Sequence, residues 1–582
     1  MASEGTTAPR SASKYAPEER TAIGIAFGNT NSSIAFTFDD RVEVIANEDG
    51  DRQIPTILSY IDGEEYYGTQ AKSFLVRNSK NTVAYFKDLL GRDFASIDPS
   101  YCHASAHPQE TNGEVTFTII DKASSEDGEA AAPSTVSVHD IATRYLKRLV
   151  GSASDYLGRK VTSAVISVPS NFSDAQRQAI VKAADAAELE ILQMITDSAA
   201  IAAAYAARID SETAANEDAT AEHKKDKIVV IADIGGTRTD ATVISSSAGM
   251  ATVLTAVHDY EFVGAALDKV LIDHFAKEFA KKNKGIDPRE NARSLAKLRL
   301  EAEATKKALS LGSNGSFSVE SLADGIDYTA TINRFRYETL ARPVFDGINR
   351  LVESAVTKAG LDLIDVDVVL LSGGTAHTPR IADSMRTLFN DTATIVAPST
   401  IPAATNPSEL QARGAALQAN LVRDFDAEEI EQSAHPMVST VQHTSLAVGV
   451  IAQSAAGEVF TPIIAAESAV PVRRAILLPA PKDGGDILLR FAEGSTHVNT
   501  VVKAKAAKSD DDSDDSDVDS EDEEDEEERS KGWKVQNVLA EAALRGVKKG
   551  AKIEVAISIR ADMGVSFTAR EVGGKAAIRG SL

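Results

Sequence analysis

Three segments of the chain place glycine directly after an apolar, strand-like run, and such turns are where backbone can hold phosphate. The first reads Ile23-Gly24-Ile25-Ala26-Phe27-Gly28-Asn29-Thr30-Asn31-Ser32 and continues as a second apolar stretch to Phe36. The second runs from Ile228 to Ile231, then through Asp233, Gly235, Gly236, Thr237, Arg238 and Asp240, with a return stretch to Ile244. The third runs from Val366 to Leu371 and ends in Ser372, Gly373, Gly374 and Thr375. Glycine tolerates positive φ and close backbone approach, so successive N–H groups can converge on phosphate oxygens. Hydrogen bonds to charged groups contribute about 1.5–3 kcal/mol each, so two such turns could clamp a polyphosphate. One turn alone is equally a plain β-hairpin. Two strand–turn–strand units plus a third glycine turn argue against that bland reading. Neither a G-x-x-x-x-G-K-[ST] loop nor a G-x-G-x-x-G after a strand is present, which removes the P-loop and Rossmann alternatives.

Such turns need strands to carry them and helices to cover the strands. From Thr21 to Arg423 strand-like runs alternate with helical patterns, the signature of α/β architecture. Leu267, Val270, Leu271, His274, Phe275 and Phe279 fall at helical spacing. Ser173 and Gln176 predict a capping box opening a helix through Ala187. The run Ala199 to Ala207 reads as a packed helix, and Asp121 to Ser134 and Asp210 to Lys227 as surface loops. Residues 1–20 read as a disordered lead-in and the polar stretch 424–445, with Pro436, as a linker. From Leu446 short apolar runs recur: Leu446 to Ile451, Ala475 to Leu478, Ile487 to Phe491, Ile553 to Ile559 and Val565 to Thr568. That spacing predicts a β-sandwich over 446–582. The sandwich is interrupted by an acidic run, with 15 carboxylates in the 19 positions from Asp510 to Glu528, expected as a solvated, disordered loop over 508–530.

The composition of the 582 residues, 43% apolar and 25% charged, suits a folded chain with a large core. With a net charge of −25 and no basic patch, direct nucleic-acid binding is not expected. No run of about 18 apolar residues predicts a membrane span, and the polar start does not read as a signal peptide. A single cysteine, Cys102, forms no intramolecular disulfide and suits a reducing, cytoplasmic setting. Cys102, His103 and His107 cluster without a further ligand set, which makes a metal site there a weak reading.

The residues now carry a resemblance. From about residue 21 nearly to the C-terminus the chain resembles the heat-shock protein 70 (DnaK-type) chaperone family. Its first turn is similar to that family's I-G-I-D-L-G-T-T-N-S and its second to D-L-G-G-G-T-F-D. Further matches are Asn81-Thr82-Val83 with Phe86, Lys87, Gly91 and Arg92, and Val165 to Pro169 with Phe172, Gln176, Arg177 and Gln178. Glu303, Lys306, Lys307 and Ser310 match the adenosine-contacting E-x-x-K-R-x-x-S helix with one conservative change. Gly373, Gly374, Pro379, Asn406, Pro407 and Gly414 to Ala416 complete the set. The resemblance implies a two-lobed, actin-like (ribonuclease H-like) α/β nucleotide-binding domain over 21–423, followed by an all-β substrate-type sandwich. It also implies ATP as cofactor. The implied nucleotide contacts are Gly28, Asn29, Thr30, Asn31, Gly235, Gly236, Thr237, Arg238, Gly264, Glu303, Lys306, Lys307, Ser310, Gly373, Gly374, Thr375 and His377.

The departures from the family pattern bear on activity. The carboxylate that orders the family's magnesium-bound water is Ala26 here, which leaves the place of Mg2+ open. Asn29 replaces a threonine, Thr237 and Arg238 replace Gly-Thr, and N-E-P-T has become Thr196-Asp197-Ser198-Ala199. Lys87, Asp233 and Asp240 remain. Positioning the attacking water is worth about 10²–10⁴ in rate, so these losses predict a degenerate ATPase with very slow turnover. Arg238 has two readings: a guanidinium against the β/γ-phosphates, or a surface ion pair without ligand contact. His377 either stacks on adenine or is simply packed.

The acidic-bracketed leucine linker of the family is not matched near His435 to Ser439, and no helical lid is expected. This short form is most similar to the fungal branch found in the ribosome-associated complex. The resemblance implies a largely non-hydrolysing scaffold, cytoplasmic and ribosome-associated, that pairs stably with a zuotin-like J-domain protein. The partner would provide the ribosome contact, and the pair would assist a ribosome-bound heat-shock protein 70 chaperone acting on nascent polypeptide. The acidic loop either meets that partner or only solubilises the chain, and Ser509, Ser516 and Ser520 sit in acidophilic-kinase contexts. Two other readings compete: a slow ATP-hydrolysing peptide chaperone using Lys87, Asp197 and Asp233, and a nucleotide-exchange co-chaperone.

Overall fold

The computed structural model describes residues 15–39, 41–97, 105–123, 131–214, 226–247, 250–401, 405–434, 443–454, 457–466, 468–481, 484–503 and 526–582. Two sheets of matching topology form its first part. One runs in the order Glu190–Thr196, Ser163–Val168, Ala22–Ala26, Asn31–Phe38, Arg41–Ile45. The other runs Thr394–Val396, Val368–Ser372, Lys227–Ile234, Thr239–Ser247, Met250–Asp259. In each, the central strand is antiparallel to the strand it turns into and parallel to one reached by a long crossover. Only the first kind of pairing can be closed by a short turn, and those turns are the two glycine-bearing segments. Ala22–Ala26, Ser163–Val168 and Val368–Ser372 are buried along their whole length, which is why they read as continuous apolar runs rather than alternating ones. Each sheet anchors its own lobe. Ile23, Ile34, Leu58, Phe86 and Tyr145 belong to one core, and Val230, Leu271, Phe275, Phe317 and Val369 to the other.

The helices follow their local signals. Ser173 accepts from the Gln176 N–H and the Gln176 side chain accepts in return, opening the helix Asp174–Ala186. Gly264–Lys282 buries Leu267, Leu271, Phe275 and Phe279, with Val270 and His274 at the edge of that face. The alanine run lies in Asp197–Ala214, with Ala200, Ile201 and Ala204 buried. This helix crosses Leu410–Val422 so closely that a Cβ on Gly414 would fall 1.8 Å from the Ala200 carbonyl oxygen. On its other side Leu410–Val422 lies against the first sheet, where a Cβ on Gly24 would fall 2.1 Å from the Ala416 nitrogen.

Several boundaries differ from expectation. The helix Asp197–Ala214 extends into the stretch expected as a loop from Asp210, and 215–225 lie outside the described residues. Arg20, placed by sequence at the end of a disordered lead-in, is buried and donates to the carbonyls of Arg423 and Phe425 at 3.0 and 2.5 Å. Within the expected linker, Ala427–Ala434 is a helix whose Ile430 is buried with Leu192, Ala419 and Val422. Residues 1–14 and 435–442, including Pro436, lie outside the described residues.

The C-terminal part is β-rich. Strands Gly457–Ile464, Ala447–Ser454, Gly485–Lys503 and Glu526–Val547 form one sheet, and Val472–Pro479, Lys552–Ile559, Val565–Glu571 and Ala577–Ser581 another. The five expected apolar runs fall on strands, the first of which begins at Ala447 rather than Leu446. Phe491 and Phe567 stack 4.1 Å apart in a core shared by both sheets, with Val450, Leu544 and Val555. The loop expected over 508–530 is shorter at its end, because Glu526 already pairs with Lys503. The remainder of the acidic run, with Ser509, Ser516 and Ser520, lies outside the described residues. Among the described residues no helix is long and apolar enough to cross a membrane.

Candidate functional site

The two hairpin turns face each other between the lobes. A Cβ on Gly236 would come 2.4 Å from Thr30 Oγ1, and Asn29 Nδ2 donates to Thr237 Oγ1 at 3.2 Å. Each turn needs its glycine. A Cβ on Gly28 would meet the Asn31 carbonyl oxygen at 2.1 Å, and one on Gly235 would meet that of Arg238 at 2.7 Å. The second turn is closed by the Gly235 N–H donating to the Arg238 carbonyl at 2.8 Å. The third glycine segment joins it: Gly373 has φ +85°, and Thr375 Oγ1 and the Gly264 N–H donate to the Gly235 carbonyl at 3.0 and 2.9 Å. Gly28 to Asn31, Gly235 to Arg238, Gly264 and Gly373 to Thr375 are therefore brought to one place.

The departures from the family pattern are now located. Ala26 ends its strand in a pocket of Ala35, Val44, Ala412 and Ala416, where a methyl fits and a carboxylate would be stranded. Arg238 Nε donates to Asp240 Oδ2 at 2.6 Å and Nη2 to Asp197 Oδ2 at 3.4 Å. The ion pair of the alternative reading is thus formed, with the Arg238 side chain 11% exposed and so largely covered rather than out on the surface. Burial works against its charge, but Asp240 and Asp197 outweigh burial and hold the guanidinium protonated. Asp233 is buried, takes a 2.6 Å bond from Gln411 Nε2 at one oxygen, and has no partner at Oδ1. Burial, reinforced by the charges of Asp197 and Asp240, pushes its pKa up to about 7. Lys87 is also buried, with Nζ 4.4 Å from the Phe172 ring centre and 3.3 Å from Asp88.

The expected adenosine residues divide. On the helix Ala292–Leu311, Glu303 pairs across the cleft with Lys72 of the first lobe at 2.6 Å and along its helix with Lys307 at 2.8 Å. Although burial opposes it, these two cations hold the Glu303 pKa at about 2. Lys306 pairs with Asp268 at 2.8 Å and donates to the Gly264 carbonyl at 3.1 Å, which ties the helix to the turns. Ser310 bonds back to its own helix at the Lys306 carbonyl. His377 Nε2 lies 3.1 Å from both Asn406 Oδ1 and Ser408 Oγ, and burial lowers its pKa. Sequence reasoning missed Gln411, Lys72, Asp268 and Thr56, whose Oγ1 donates to the Gly28 carbonyl at 2.8 Å. Gln411, Lys72 and Thr56 come from outside the three glycine segments, and Asp268, four residues after Gly264 on the same helix, belongs to no motif.

Between the lobes lies a cleft of about 520 Å³, lined among others by Asn29, Thr30, Thr237, Asp268 and Glu303. That volume suits a small-molecule ligand. Thr30 Oγ1 is buried with no partner, a hydroxyl available to an oxyanion at the floor of this cleft. The residues present therefore fit a polyphosphate-bearing ligand. Among the described residues no three His, Cys, Asp or Glu converge as a metal-ligating set. Cys102 and His103 lie outside the described residues, and His107 is exposed.

Comparison with known proteins adds relatives to this geometry. A family model described as Hsp70 protein matches residues 22–479. A heat shock protein 70 homolog of Schizosaccharomyces pombe is 40% identical over 568 residues, covering 97% of this chain and 96% of that protein. The ribosome-associated complex subunit SSZ1 of Saccharomyces cerevisiae is 38% identical over 561 residues, covering 96% of this chain and 99% of that protein. Heat shock 70 kDa protein 14 of Danio rerio is 30% identical over 485 residues, 83% of this chain and 90% of its own length.

Proposed function

From the premise that this chain belongs to the Hsp70 protein family, we propose that it is a chaperone scaffold that holds ATP and turns it over very slowly. The observation that carries this reading is Arg238, whose guanidinium sits between Asp197 and Asp240 beside the phosphate turns. A cation fixed in the second turn would stand in for charge that the family draws from its metal, whose ordering carboxylate is Ala26 here. Gly28 to Asn31, Gly235 to Thr237 and Gly264 would hold the phosphates, with Glu303, Lys306, Gly373 to Thr375 and His377 toward the nucleoside. The backbone N–H groups of the glycine turns, rather than net positive charge, would receive the phosphate oxygens. Lys87, held against Phe172 and Asp88, is poorly placed to orient a water.

A second reading is favoured by Asp233. A carboxyl with a pKa near 7 and an unpartnered oxygen is suited to accept a proton from water, which supports slow hydrolysis. Single-turnover phosphate release separates the two. Release no faster than in Asp233→Asn supports the scaffold. Turnover comparable to an ordinary family member, and abolished in Asp233→Asn, sinks it.

The partner reading rests on the printed name of the Saccharomyces cerevisiae relative, a ribosome-associated complex subunit. In that setting the chain would work in the cytoplasm, paired stably with a zuotin-like J-domain protein, beside a ribosome-bound heat-shock protein 70 chaperone and its nascent polypeptide. A chain of net charge −25 gains nothing from ribosomal RNA, so the basic partner would make that contact. Purification from native extract, with identification of co-purifying proteins and bound nucleotide, tests this. A J-domain protein at equal stoichiometry and intact ATP are expected. Sedimentation of the isolated chain with ribosomes, without a partner, would count against it.

A further inference from the structure

Four cations and four carboxylates line the cleft between the lobes, and two of the cations stand outside its ion pairs. Of the cations on its walls, Lys72 pairs with Glu303 at 2.6 Å, and Arg289 with Asp273 and Asp287 at 2.7 and 2.6 Å. Arg299 and Lys269 line the same cleft, and among the described residues neither has a carboxylate within ion-pair distance. Lys269 is exposed on the helix Gly264–Lys282. Arg299 is half-buried on Ala292–Leu311, beside the phenol of Tyr85, and burial pushes its guanidinium below its usual range. A desolvated guanidinium with only a neutral phenol for company is costly to keep without a use.

Tyr85 adds a second, independent observation. Its φ of +58° lies in the left-handed region that an aromatic residue enters only when its surroundings hold it there, and such strain gathers at binding sites. Around Tyr85 and Arg299 the wall is apolar, made of Ile57, Leu75, Ile272, Leu295 and Leu300. Against these two cations the lining sets one carboxylate outside any ion pair among the described residues, Glu261, so an anion is favoured, and a phosphomonoester carries close to two negative charges at neutral pH. A guanidinium also grips phosphoryl oxygens in a two-pronged fashion that an ammonium cannot.

We propose that this wall is a second anion subsite, taking a phosphoryl group on a small apolar or aromatic body, with Arg299 and Lys269 on the oxygens. It is distinct from the phosphate turns: both cations come from helices of the second lobe, whereas the nucleotide's phosphates would rest on the hairpins. The ligand is a phosphomonoester separate from bound ATP.

Calorimetric titration of the full chain with phenyl phosphate and with inorganic phosphate, with and without saturating ATP, tests it. Phenyl phosphate is expected to bind ATP-saturated protein, more tightly than inorganic phosphate. Arg299→Gln weakens that binding roughly 10- to 100-fold, Arg299→Lys and Lys269→Gln less, with ATP affinity kept within about twofold. Melting temperatures check that each variant is folded, and Lys269→Gln, on an exposed position, keeps the test open should the Arg299 variants fail. Exclusion of phenyl phosphate by ATP would reduce the cleft to one phosphate site. Unchanged binding in Arg299→Gln and Lys269→Gln, or no binding of either probe, would overturn the assignment. If ATP itself does not bind, the titration of the nucleotide-free chain still reads this subsite, so the two proposals fail separately.

Discussion

Arg238 reaches two carboxylates from one hairpin position, and its removal should show in both stability and ligand retention. Arg238→Thr leaves Asp197 and Asp240 facing each other with no cation, a loss typically costing about 3–5 kcal/mol for a buried pair. Urea unfolding should register that loss, and equilibrium dialysis should show weakened ATP retention; unchanged affinity would remove Arg238 from the nucleotide site. Ala26→Asp buries a carboxylate among alanines and Val44, so it should destabilise the fold without restoring fast phosphate release. Asp233 yields a pH prediction of definite sign. Its folded pKa, near 7, lies above the ordinary carboxylate value, so the native state binds the extra proton. Its contribution to stability is present at low pH and is lost as pH rises from about 4 to about 7, by at most about 1.4 kcal/mol per unit. Unfolding free energies of Asp233→Asn against the parent chain across that window should therefore converge toward low pH and favour the variant above it. The sequence identified Ala26 and Arg238 as the changed positions. It could not say where the guanidinium goes, because carboxylates from a hairpin and from a distant helix compete with a ligand for it.

Helices and strands were legible wherever their signal was local. The capping box at Ser173 and Gln176, the five apolar runs after Leu446 and the three glycine turns each specify their own geometry over a few residues. The helix Ala427–Ala434 also has a local signal that the polar composition hid. Asp426 accepts from the Glu429 N–H at 2.8 Å, and Glu429 accepts in return at 2.9 Å, another capping box. Strand Glu526–Val547 had none, because its first residues belong to the acidic run and its pairing with Gly485–Lys503 is settled across the hairpin. Close helix crossings are likewise invisible until both partners are known. Gly414→Ala places a methyl 1.8 Å from the Ala200 carbonyl, which only backbone movement can relieve. Overpacking of this kind typically costs about 1–3 kcal/mol, and thermal unfolding should show that loss with secondary structure preserved.

At the scale of the whole molecule, two lobes with separate cores touch across a cleft through a small number of polar contacts. Lys72 to Glu303 at the mouth and Asn29 to Thr237 at the floor are two of them. Lys72→Ala removes the first, so ATP release measured by stopped-flow fluorescence should accelerate several-fold, as expected for loss of about 1 kcal/mol from a partly exposed pair. An unchanged release rate would show that the mouth does not govern escape. The two hairpins are carried by sheets of the same strand order. Between those sheets Leu410–Val422 rests on Gly24 on one side and on Ala200 on the other, with Gly414 at the second crossing. Thr37 Oγ1 donates to the Ala416 carbonyl from one side and Gln411 Nε2 to Asp233 on the other, so this single helix is a rivet common to both halves, and whatever loosens it loosens both at once.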